Sequence, residues 1–314
     1  MNVTHILYRG SLSSCNYACG YCPFAKTRNT RKELDLDRSQ LERFVDWVAD
    51  VDRPVGIMIT PWGEAIIHRY YRDAMTRLSW MDSVRRIAIQ TNLSGHLKDL
   101  SHARVDRLAV WATYHPGETE IDRFLNRCGT LERLGIRFSV GVVGFREHFG
   151  VIQELRQRLA GDVYLWVNIP KSSGIRYSDD ELRFLESIDP YFRWNARRWP
   201  SLRKPCRTGS EAFAVDGDGN VRRCHFVDEQ IGNLYTDDIW TKLSPSACPN
   251  NICGCHIGYV HRDDFPLDRL FEDDVLARIP GQWPEIDHAL TDPAITTIRS
   301  ELPQVALEPA NSDA

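Results

Sequence analysis

The sequence predicts an α/β fold with parallel strands, followed by a small C-terminal region built from a β-hairpin and short helices. Apolar runs alternate with segments of helical periodicity about six times between residues 5 and 168. Such alternation predicts parallel strands joined by right-handed crossovers. Six units are fewer than the eight of a closed barrel. The composition, 42% hydrophobic and 26% charged residues in a chain of 314, is typical of a globular protein.

Composition also narrows the function. A net charge of −4 provides no basic field that would favour nucleic acid as a partner. No apolar run approaches the ~18 residues that a membrane span needs, and residues 1–10 do not read as a signal peptide. Nine cysteines, an odd number mostly in tight groups, favour metal ligands in a reducing compartment over disulfides. We therefore expect a cytoplasmic protein without nucleic-acid or membrane partners.

Each predicted element follows from its pattern of apolar residues. The predicted strands are residues 5–10, 55–60, 86–92, 108–113, 137–143 and 163–168. The predicted helices between them are residues 38–49, 69–80, 121–134 and 151–159. Asp37 is a plausible N-cap for the first helix, and Cys128, alone within helical periodicity, is predicted to be a core thiol. The basic segment 26–32 is expected to be a solvent-facing loop, with attraction of an anionic substrate as the alternative.

Three cysteines, Cys15, Cys19 and Cys22, follow the first predicted strand at C-x3-C-x2-C spacing. Cysteine thiolates are the usual ligands of iron–sulfur clusters. A cubane cluster has four irons, so three thiolates leave one iron open to a substrate or cofactor. A zinc knuckle is the alternative, but zinc usually takes four ligands in paired C-x2-C groups, and no His or Cys completes a local set after Cys22.

This motif, with the aromatic Tyr21 before the last cysteine, resembles that of the radical S-adenosylmethionine (SAM) enzymes. The resemblance implies a partial (β/α)6 TIM-like barrel, here over residues 1–195, and a [4Fe–4S] cluster whose open iron chelates SAM. It further implies that one electron splits SAM into methionine and a 5′-deoxyadenosyl radical, while the protein orients the cofactor. A reducing partner such as flavodoxin or ferredoxin is then expected.

The ends of the second and third strands carry further matches to this family. Gly63 and Glu64 match the last two residues of a Gly-Gly-Glu motif that receives the SAM ammonium, and Trp62 stands where the first glycine is expected. Asn92 ends the third strand as in the family. The resemblance implies that Gly63, Glu64 and Asn92, together with Tyr21, orient SAM.

Later strand ends supply the remaining candidates. Val142 and Gly144 resemble part of the family's adenine-binding motif, although Val140 replaces its first glycine. Asn168, near the end of the sixth strand, is expected to face the pocket. His115 leaves the fourth strand, where it either contacts substrate and moves a proton or caps the turn before a proline.

A second cysteine group follows in residues 196–262. Its members are Cys206, Cys224, Cys248, Cys253 and Cys255. The Asp-Gly-Asp-Gly run at 216–219 predicts a hairpin that returns the chain on itself, so that Cys206 and Cys224 converge. The pattern Cys206-x12-Gly219-x4-Cys224 resembles the auxiliary-cluster domains called SPASM and Twitch.

Five thiols suit one auxiliary [4Fe–4S] cluster with one cysteine to spare, as in Twitch. Spacing does not decide which four bind, and His256 or His261 could substitute. A structural zinc site is the alternative. The ending Cys-His-Ile-Gly-Tyr-Val-His resembles an uncharacterised branch of the radical SAM proteins, and residues 263–314 are predicted to be a helical extension whose tail frays from Pro303.

The resemblance implies a radical SAM oxidoreductase or transferase that abstracts hydrogen from a peptide or natural-product substrate. A sugar or aminocyclitol substrate is the alternative within the same chemistry. The auxiliary cluster would accept an electron from the substrate or position it. Two hypotheses from other classes stay open at this point: an iron–sulfur electron relay that never cleaves SAM, and a zinc-binding module.

Overall fold

Six parallel strands form the sheet that the sequence predicts. The computed structural model describes residues 3–170 and 175–281, so the predicted tail from Pro303 and most of the predicted C-terminal extension lie outside the described residues. The strands are β1 (Thr4–Arg9), β2 (Val55–Ile59), β3 (Val84–Thr91), β4 (Leu108–Thr113), β5 (Arg137–Val143) and β6 (Leu165–Asn168). Neighbours in the sequence are neighbours in the sheet. Such strands are buried on both faces, which explains their nearly continuous apolar sequences.

Amphipathic helices cover one face of this sheet. They are α1 (Arg31–Ala49), α2 (Arg69–Ser79), α3 (Ile121–Leu134), α4 (Phe149–Arg158) and α5 (Asp179–Ile188). Cys128 is buried in α3, as predicted. Within the described residues no helix has the length and apolarity that crossing a bilayer requires.

The start of α1 differs from the prediction. The helix begins at Arg31, not Arg38, because Thr30 and Glu33 form a capping box in which each side chain accepts from the other's backbone N–H. Asp37 is therefore not an N-cap. It is a fully buried residue of the helix, and the basic segment 26–32 is a loop only as far as Thr30.

The remaining elements are short. The strands are β7 (Trp199–Pro200), β8 (Pro205–Cys206), β9 (Ala212–Asp216), β10 (Asn220–Arg222), β11 (Gln230–Asn233), β12 (Ser246–Ala247) and β13 (Ile252–Cys253). The helices are α6 (Phe192–Asn195), α7 (Ile239–Lys242), α8 (His256–Tyr259) and α9 (Leu267–Phe271). Short 3-10 helices occur at Ala65–Ile67, Leu97–His102, Val105–Arg107, Arg146–His148 and Glu272–Ala277.

The predicted hairpin is present as β9 and β10, which pair antiparallel. Gly219 in its turn has a φ of 84°, a conformation that favours glycine. Strand β9 also pairs in parallel with β1, on the side away from β2, so the full sheet order is β11-β10-β9-β1-β2-β3-β4-β5-β6. The division of the chain near residue 195 stays a prediction, but strands from both sides of that boundary share one sheet.

The C-terminal segment packs against the inner face of the sheet, opposite the helices. Side chains of α9 and of the following 3-10 helix share a buried cluster with inner-face residues such as Leu7, Met58 and Trp166. The buried Asp274 forms ion pairs with Arg86 (2.8 Å) near the start of β3 and with Arg137 at the start of β5. This segment therefore covers the N-terminal ends of the strands and leaves their C-terminal ends for a site.

The buried carboxylate of Asp189, just after α5, gives a pH-dependent prediction. It accepts hydrogen bonds from the Val167 and Tyr191 amides and the Tyr164 hydroxyl, each at 2.9 Å. Burial raises the pKa of Asp189 to about 6, an effect that Arg278 opposes. A raised pKa favours the protonated folded state, so this group's stabilisation is full below pH ~4 and is lost as the pH rises through ~6.

We therefore expect the difference in unfolding free energy between Asp189→Asn and the wild type to shift in favour of the variant by up to about 3 kcal/mol between pH 4 and pH 7. The prediction concerns this change with pH and not the size of the difference at low pH. Urea unfolding at a series of pH values measures the difference. The exposed Asp180→Asn on α5 is the control and should follow the wild-type curve. Parallel curves for the wild type and Asp189→Asn would contradict the prediction.

Candidate active site at the cysteine loop

The cysteine loop, defined here as residues 10–22, follows β1 at the C-terminal end of the sheet. Its first half runs beside the end of β2, where the Gly63 amide donates to the Leu12 carbonyl (3.1 Å) and the Glu64 amide to the Ser14 carbonyl (3.0 Å). A Cβ on Gly63 would lie 2.1 Å from the Ser14 oxygen. Only glycine allows this approach, which gives the predicted Gly63 a local reason.

Two side chains from other segments hold the same half of the loop. The Leu12 amide donates to Asp37 Oδ1 at 2.8 Å, and the Ser13 and Ser14 amides both donate to Asn29 Oδ1 at 2.8 Å. A loop that carries no regular structure needs such partners for its backbone. Residues 12–14, just before Cys15, are therefore held by contacts to three segments, at Asn29, Asp37 and Gly63–Glu64.

The three thiols of the loop are free and share a partly buried environment. Burial raises the pKa of Cys15 to about 11 and that of Cys19 to about 12, and the charge of neighbouring thiols adds to both shifts. The Cys22 amide donates to the Cys19 carbonyl at 3.1 Å, and Lys26 donates to the same carbonyl at 2.8 Å. Cys19 and Cys22 therefore share one turn, and Cys15 lies near it in the same loop.

Glu64 lies beneath the loop with its carboxylate turned inward. It is only 4% exposed, and it accepts from the Thr91 hydroxyl (2.7 Å), the Asn92 amide (2.6 Å) and the Ile66 amide (3.2 Å). Burial raises the pKa of Glu64 to about 7. These contacts join the ends of β2 and β3, and the role of Glu64 as an acceptor for the SAM ammonium stays a prediction.

Asn92 connects the end of β3 to the loop. Its side-chain amide lies 3.7 Å from Cys15 Sγ and 3.2 Å from Asn16 Oδ1. Its own Oδ1 accepts from the Ser94 amide at 2.9 Å. Asn92 is thus a predicted cofactor residue whose side chain contacts a motif thiol. Hydrogen bonds to ligand sulfurs help to set the reduction potential of an iron–sulfur cluster.

Tyr21 and His115 form a pair over the loop. The Tyr21 hydroxyl lies 2.8 Å from His115 Nδ1, and the two rings are stacked with centroids 6.0 Å apart. Phe145, just beyond β5, packs on Tyr21 at 5.2 Å. Burial lowers the pKa of His115 to about 4, so the ring is neutral near pH 7. The structure places His115 as a partner of Tyr21.

The other predicted pocket residues lie farther from the thiols. The Val142 side chain is fully buried in the core between sheet and helices, so only its backbone is available to a ligand at the inner face. The Gly144 amide donates to the Asn168 carbonyl at 2.8 Å, which joins the ends of β5 and β6. A Cβ on Gly144 would lie 3.0 Å from the Val167 side chain.

Trp62, the departure from the glycine motif, lies at the surface of the same end of the sheet. Its ring is 40% exposed and packs against Phe24, which is 45% exposed, at a centroid distance of 4.1 Å. The two rings stand beside the cysteine loop. They form an aromatic rim on this side of the site.

The second cysteine group is assembled by short strand pairs. Cys206 in β8 pairs with β12, and Cys253 in β13 pairs with β7. The Cys248 amide donates to the Lys204 carbonyl at 3.0 Å, and a Cβ on Gly258 would lie 2.8 Å from Cys253 Sγ. The chain thus folds three distant segments together around these thiols.

The structure brings the segments of Cys206 and Cys224 together, because a Cβ on Gly209 would lie 3.1 Å from the Cβ of Arg223, the residue before Cys224, and the Arg223 guanidinium lies 3.5 Å from the Thr208 hydroxyl. Burial raises the pKa of Cys224 to about 11, with further contributions from Cys206 and Cys248. Burial raises the pKa of Cys253 to about 12, with contributions from Cys224, Cys255 and Cys248. These contributions indicate that Cys206, Cys248 and Cys255 lie near Cys224 or Cys253.

The two candidate substitute ligands are both buried. His256 packs edge-on against Trp111, Tyr259 and Phe271. The ring of His261 lies 5.8 Å from that of His5, near the start of β1. These contacts turn His261 toward the inner face of the sheet.

Both cysteine groups fit an iron–sulfur cluster by their donor chemistry, since each offers three or more uncrosslinked thiols in one pocket. Among the described residues, no three His, Cys, Asp or Glu side chains converge at the spacing of a single metal ion. In a cubane each cysteine binds a different iron, so cluster ligands stand around the cluster instead of meeting at one point.

The sequence matches no known protein-family model, and no curated protein is detectably similar to it. Solved structures of radical SAM enzymes do match the fold. One is native anSMEcpe with bound AdoMet and Kp18Cys peptide, at a TM-score of 0.51 and 12% identity over 76% of this chain and 79% of that one. Another is Streptococcus suis SuiB bound to precursor peptide SuiA, at 0.50 and 13% over 77% of this chain and 65% of that one.

The chain has the radical SAM fold. This confirms the predicted architecture, with its six parallel strands and inner face. In the radical SAM fold of this chain, the cysteine loop, Asn92 and the Tyr21–His115 pair meet at the C-terminal ends of the strands, where α/β barrels carry their active sites.

Sequence reasoning missed residues that hold the site together. Asn29 and Asp37 fix the cysteine loop but carry no motif of their own. Arg9 stands at the inner face of β1, in a stretch that the apolar pattern marks only as a strand. The alternation of side chains along β1 could have identified Arg9, whereas nothing local in the sequence marks Asn29.

The Tyr21–His115 pair gives a prediction about coupling. We expect Tyr21→Phe and His115→Phe each to lower the unfolding free energy by about 1 kcal/mol, because each leaves the other polar group without its partner. The double variant should lose clearly less than the sum. Denaturant unfolding of the four proteins measures the coupling, and strict additivity would contradict the assigned hydrogen bond.

Proposed function

We propose that this chain is a radical SAM enzyme that abstracts hydrogen from a peptide or a related natural product. The observation that carries the proposal is the cysteine loop, with three free thiols held at the C-terminal ends of parallel strands beside Asn92. The anSMEcpe and SuiB structures described above both contain a peptide, which supports a peptide substrate.

A [4Fe–4S] cluster bound by Cys15, Cys19 and Cys22 would supply one electron to SAM, whose C5′–S bond then breaks to give methionine and a 5′-deoxyadenosyl radical. The protein's own part is to hold the loop, orient SAM and keep water out. Asn92 donates toward Cys15, and Tyr21, fixed by His115, presents its ring at the same place. A hydrogen atom transferred from the substrate to this radical would give 5′-deoxyadenosine and leave a radical on the substrate.

We further propose that the second cysteine group holds one auxiliary [4Fe–4S] cluster. Strand pairs β8–β12 and β13–β7 carry Cys206 and Cys253, and Cys224 follows β10. Four of the five thiols of the group would bind the cluster, and one would be spare. Such a cluster would take an electron from the substrate or position it, and flavodoxin or ferredoxin would supply the catalytic electron.

Anaerobic reconstitution with iron and sulfide, followed by dithionite and SAM, tests the proposal. We expect about eight irons per chain from two cubanes, together with formation of 5′-deoxyadenosine and methionine. Intact clusters without 5′-deoxyadenosine would instead indicate an electron relay. Zinc without iron in the purified protein would indicate a zinc-binding module.

The substrate class needs a separate experiment. Small peptides encoded beside the gene are offered to the reduced enzyme with SAM, and their masses are followed. A mass change in one peptide, in step with 5′-deoxyadenosine, supports the peptide assignment. A change only in sugars or aminocyclitols offered in parallel would overturn the peptide assignment and leave SAM cleavage intact.

A further inference from the structure

Arg9 is the last residue of β1, and its direction follows from the alternation of side chains along a strand. Ile6 and Tyr8 lie in the core between sheet and helices, whereas Leu7 lies in the inner core. Arg9 therefore projects from the same inner face as Leu7, at the C-terminal end of the strand. The cysteine loop begins at the next residue.

The guanidinium of Arg9 is held in a fixed orientation. Its Nε donates to the Thr60 carbonyl at 3.0 Å, and its Cζ lies 3.8 Å from the centroid of the Trp62 ring. Trp62 is itself packed against Phe24. An arginine stacked on one face and bonded through Nε still has the two terminal nitrogens for a ligand.

Arg9 is a partly buried cation without a carboxylate partner among the described residues. In the part of the chain that the structure describes, its polar contacts are the Thr60 carbonyl and the Trp62 face, and it forms no ion pair with a carboxylate. Arginines elsewhere in the protein do form such pairs, as Arg72 does with Asp99 and Arg262 with Asp264. Leaving a desolvated charge without a counter-charge is costly, so an anion at this position would be stabilising.

The surroundings of Arg9 point toward the second cysteine group. Arg9 is the register partner of Asp216 in β9, and the β9–β10 hairpin leads from there to Cys224. Its charge also interacts with Cys255 and with His225, the residue after Cys224. On its other side stands Trp62, next to the cysteine loop. Arg9 therefore lies between the cysteine loop and the hairpin that leads to the second cysteine group.

We propose that Arg9 binds a carboxylate of the substrate and so holds that substrate between the two cysteine groups. A planar guanidinium with two free nitrogens matches the geometry of a carboxylate. The inference rests on the proposed function for the role of the site, and it adds that the substrate carries a carboxylate. SAM also carries a carboxylate, so the experiment separates the two sources.

The test compares the reconstituted wild type with Arg9→Gln and Arg9→Lys. The matched control is Arg43→Gln, because Arg43 also stacks on a ring, Tyr235 at 3.7 Å, but on the outer face of α1. Glutarate is the carboxylate probe and glutaramide its neutral counterpart, at equal ionic strength. Calorimetry measures their affinities and, separately, that of SAM.

We expect glutarate, but not glutaramide, to bind the wild type and Arg43→Gln, with affinity at least about tenfold weaker in Arg9→Gln and partly kept in Arg9→Lys. SAM affinity should stay within about twofold in every variant. Equal glutarate and glutaramide binding in the wild type, or unchanged glutarate binding in Arg9→Gln, would overturn the proposal. Loss of SAM binding in Arg9→Gln would assign Arg9 to SAM and also overturn it. Glutarate binding is measured without SAM. The proposed function is tested independently, by 5′-deoxyadenosine formation in the wild type.

Discussion

Replacing Cys19 by alanine is expected to abolish 5′-deoxyadenosine formation, by a factor of at least about 1,000, and to remove the iron of the N-terminal site. Cys19 is the most buried of the three loop thiols, and its carbonyl receives both the Cys22 amide and Lys26. Two remaining thiols would leave two irons of a cubane without protein ligands. The enzyme would then lose the site at which SAM binds.

Iron and sulfide analysis, the electron paramagnetic resonance spectrum of the reduced protein and chromatography of the nucleoside products measure this loss. Cys128→Ala is the matched control, since Cys128 is a buried thiol of α3 remote from both groups. It should lower stability by about 1–2 kcal/mol through lost packing and should keep all the iron. If Cys19→Ala kept full iron and product formation, the ligand assignment would be wrong.

A second variant separates the two clusters. Cys224 stands at the centre of the second thiol group, where it interacts with Cys206 and Cys248. We expect Cys224→Ala to lose about half of the iron while the cysteine loop keeps its own share. In the electron paramagnetic resonance spectrum of the reduced protein, Cys19→Ala should therefore remove the signal of the N-terminal cluster and Cys224→Ala that of the auxiliary cluster.

The strands were predictable because a parallel sheet covered on both faces requires continuous apolar sequence. The start of α1 was missed because its first turns, Arg31 to Leu36, lie mostly outside the core and lack the apolar periodicity that marked residues 41–48. A local pattern did mark the true start, since Thr30 and Glu33 have the spacing of a capping box. Capping chemistry, not periodicity, decides where this helix begins.

The site was predictable only where chemistry depends on spacing. Three thiols at C-x3-C-x2-C spacing predict a cluster whatever surrounds them, and the structure places all three in one loop. The residues that hold the loop could not be read in this way, because Asp37 meets Leu12 across 25 positions of sequence. The position of Glu64 after β2 was predictable from the sequence. That its carboxylate accepts from the Thr91 hydroxyl and the Asn92 amide is visible only in the fold.

Asp37→Ala is expected to lower the unfolding free energy by about 4 kcal/mol, the largest stability effect predicted here. The carboxylate is fully buried and accepts from the Leu12 amide (2.8 Å), the Tyr70 hydroxyl (2.9 Å) and the Tyr71 hydroxyl (3.2 Å). Alanine would leave three donors without an acceptor, each costing about 1–3 kcal/mol. Denaturant unfolding of the apo-protein measures the change.

Asp37→Asn and the exposed Asp35→Asn on the same helix make the comparison specific. Asparagine keeps one oxygen for the Leu12 amide, and a tyrosine hydroxyl can accept from its NH₂, so Asp37→Asn should cost only about 1–2 kcal/mol. Asp35→Asn should stay within about 0.5 kcal/mol of the wild type. Because Leu12 lies three residues before Cys15, Asp37→Ala should also slow iron loading of the cysteine loop and spare the second thiol group. Stability loss with equal loading of both clusters would mean that Asp37 supports α1 and α2 alone and does not position the ligands.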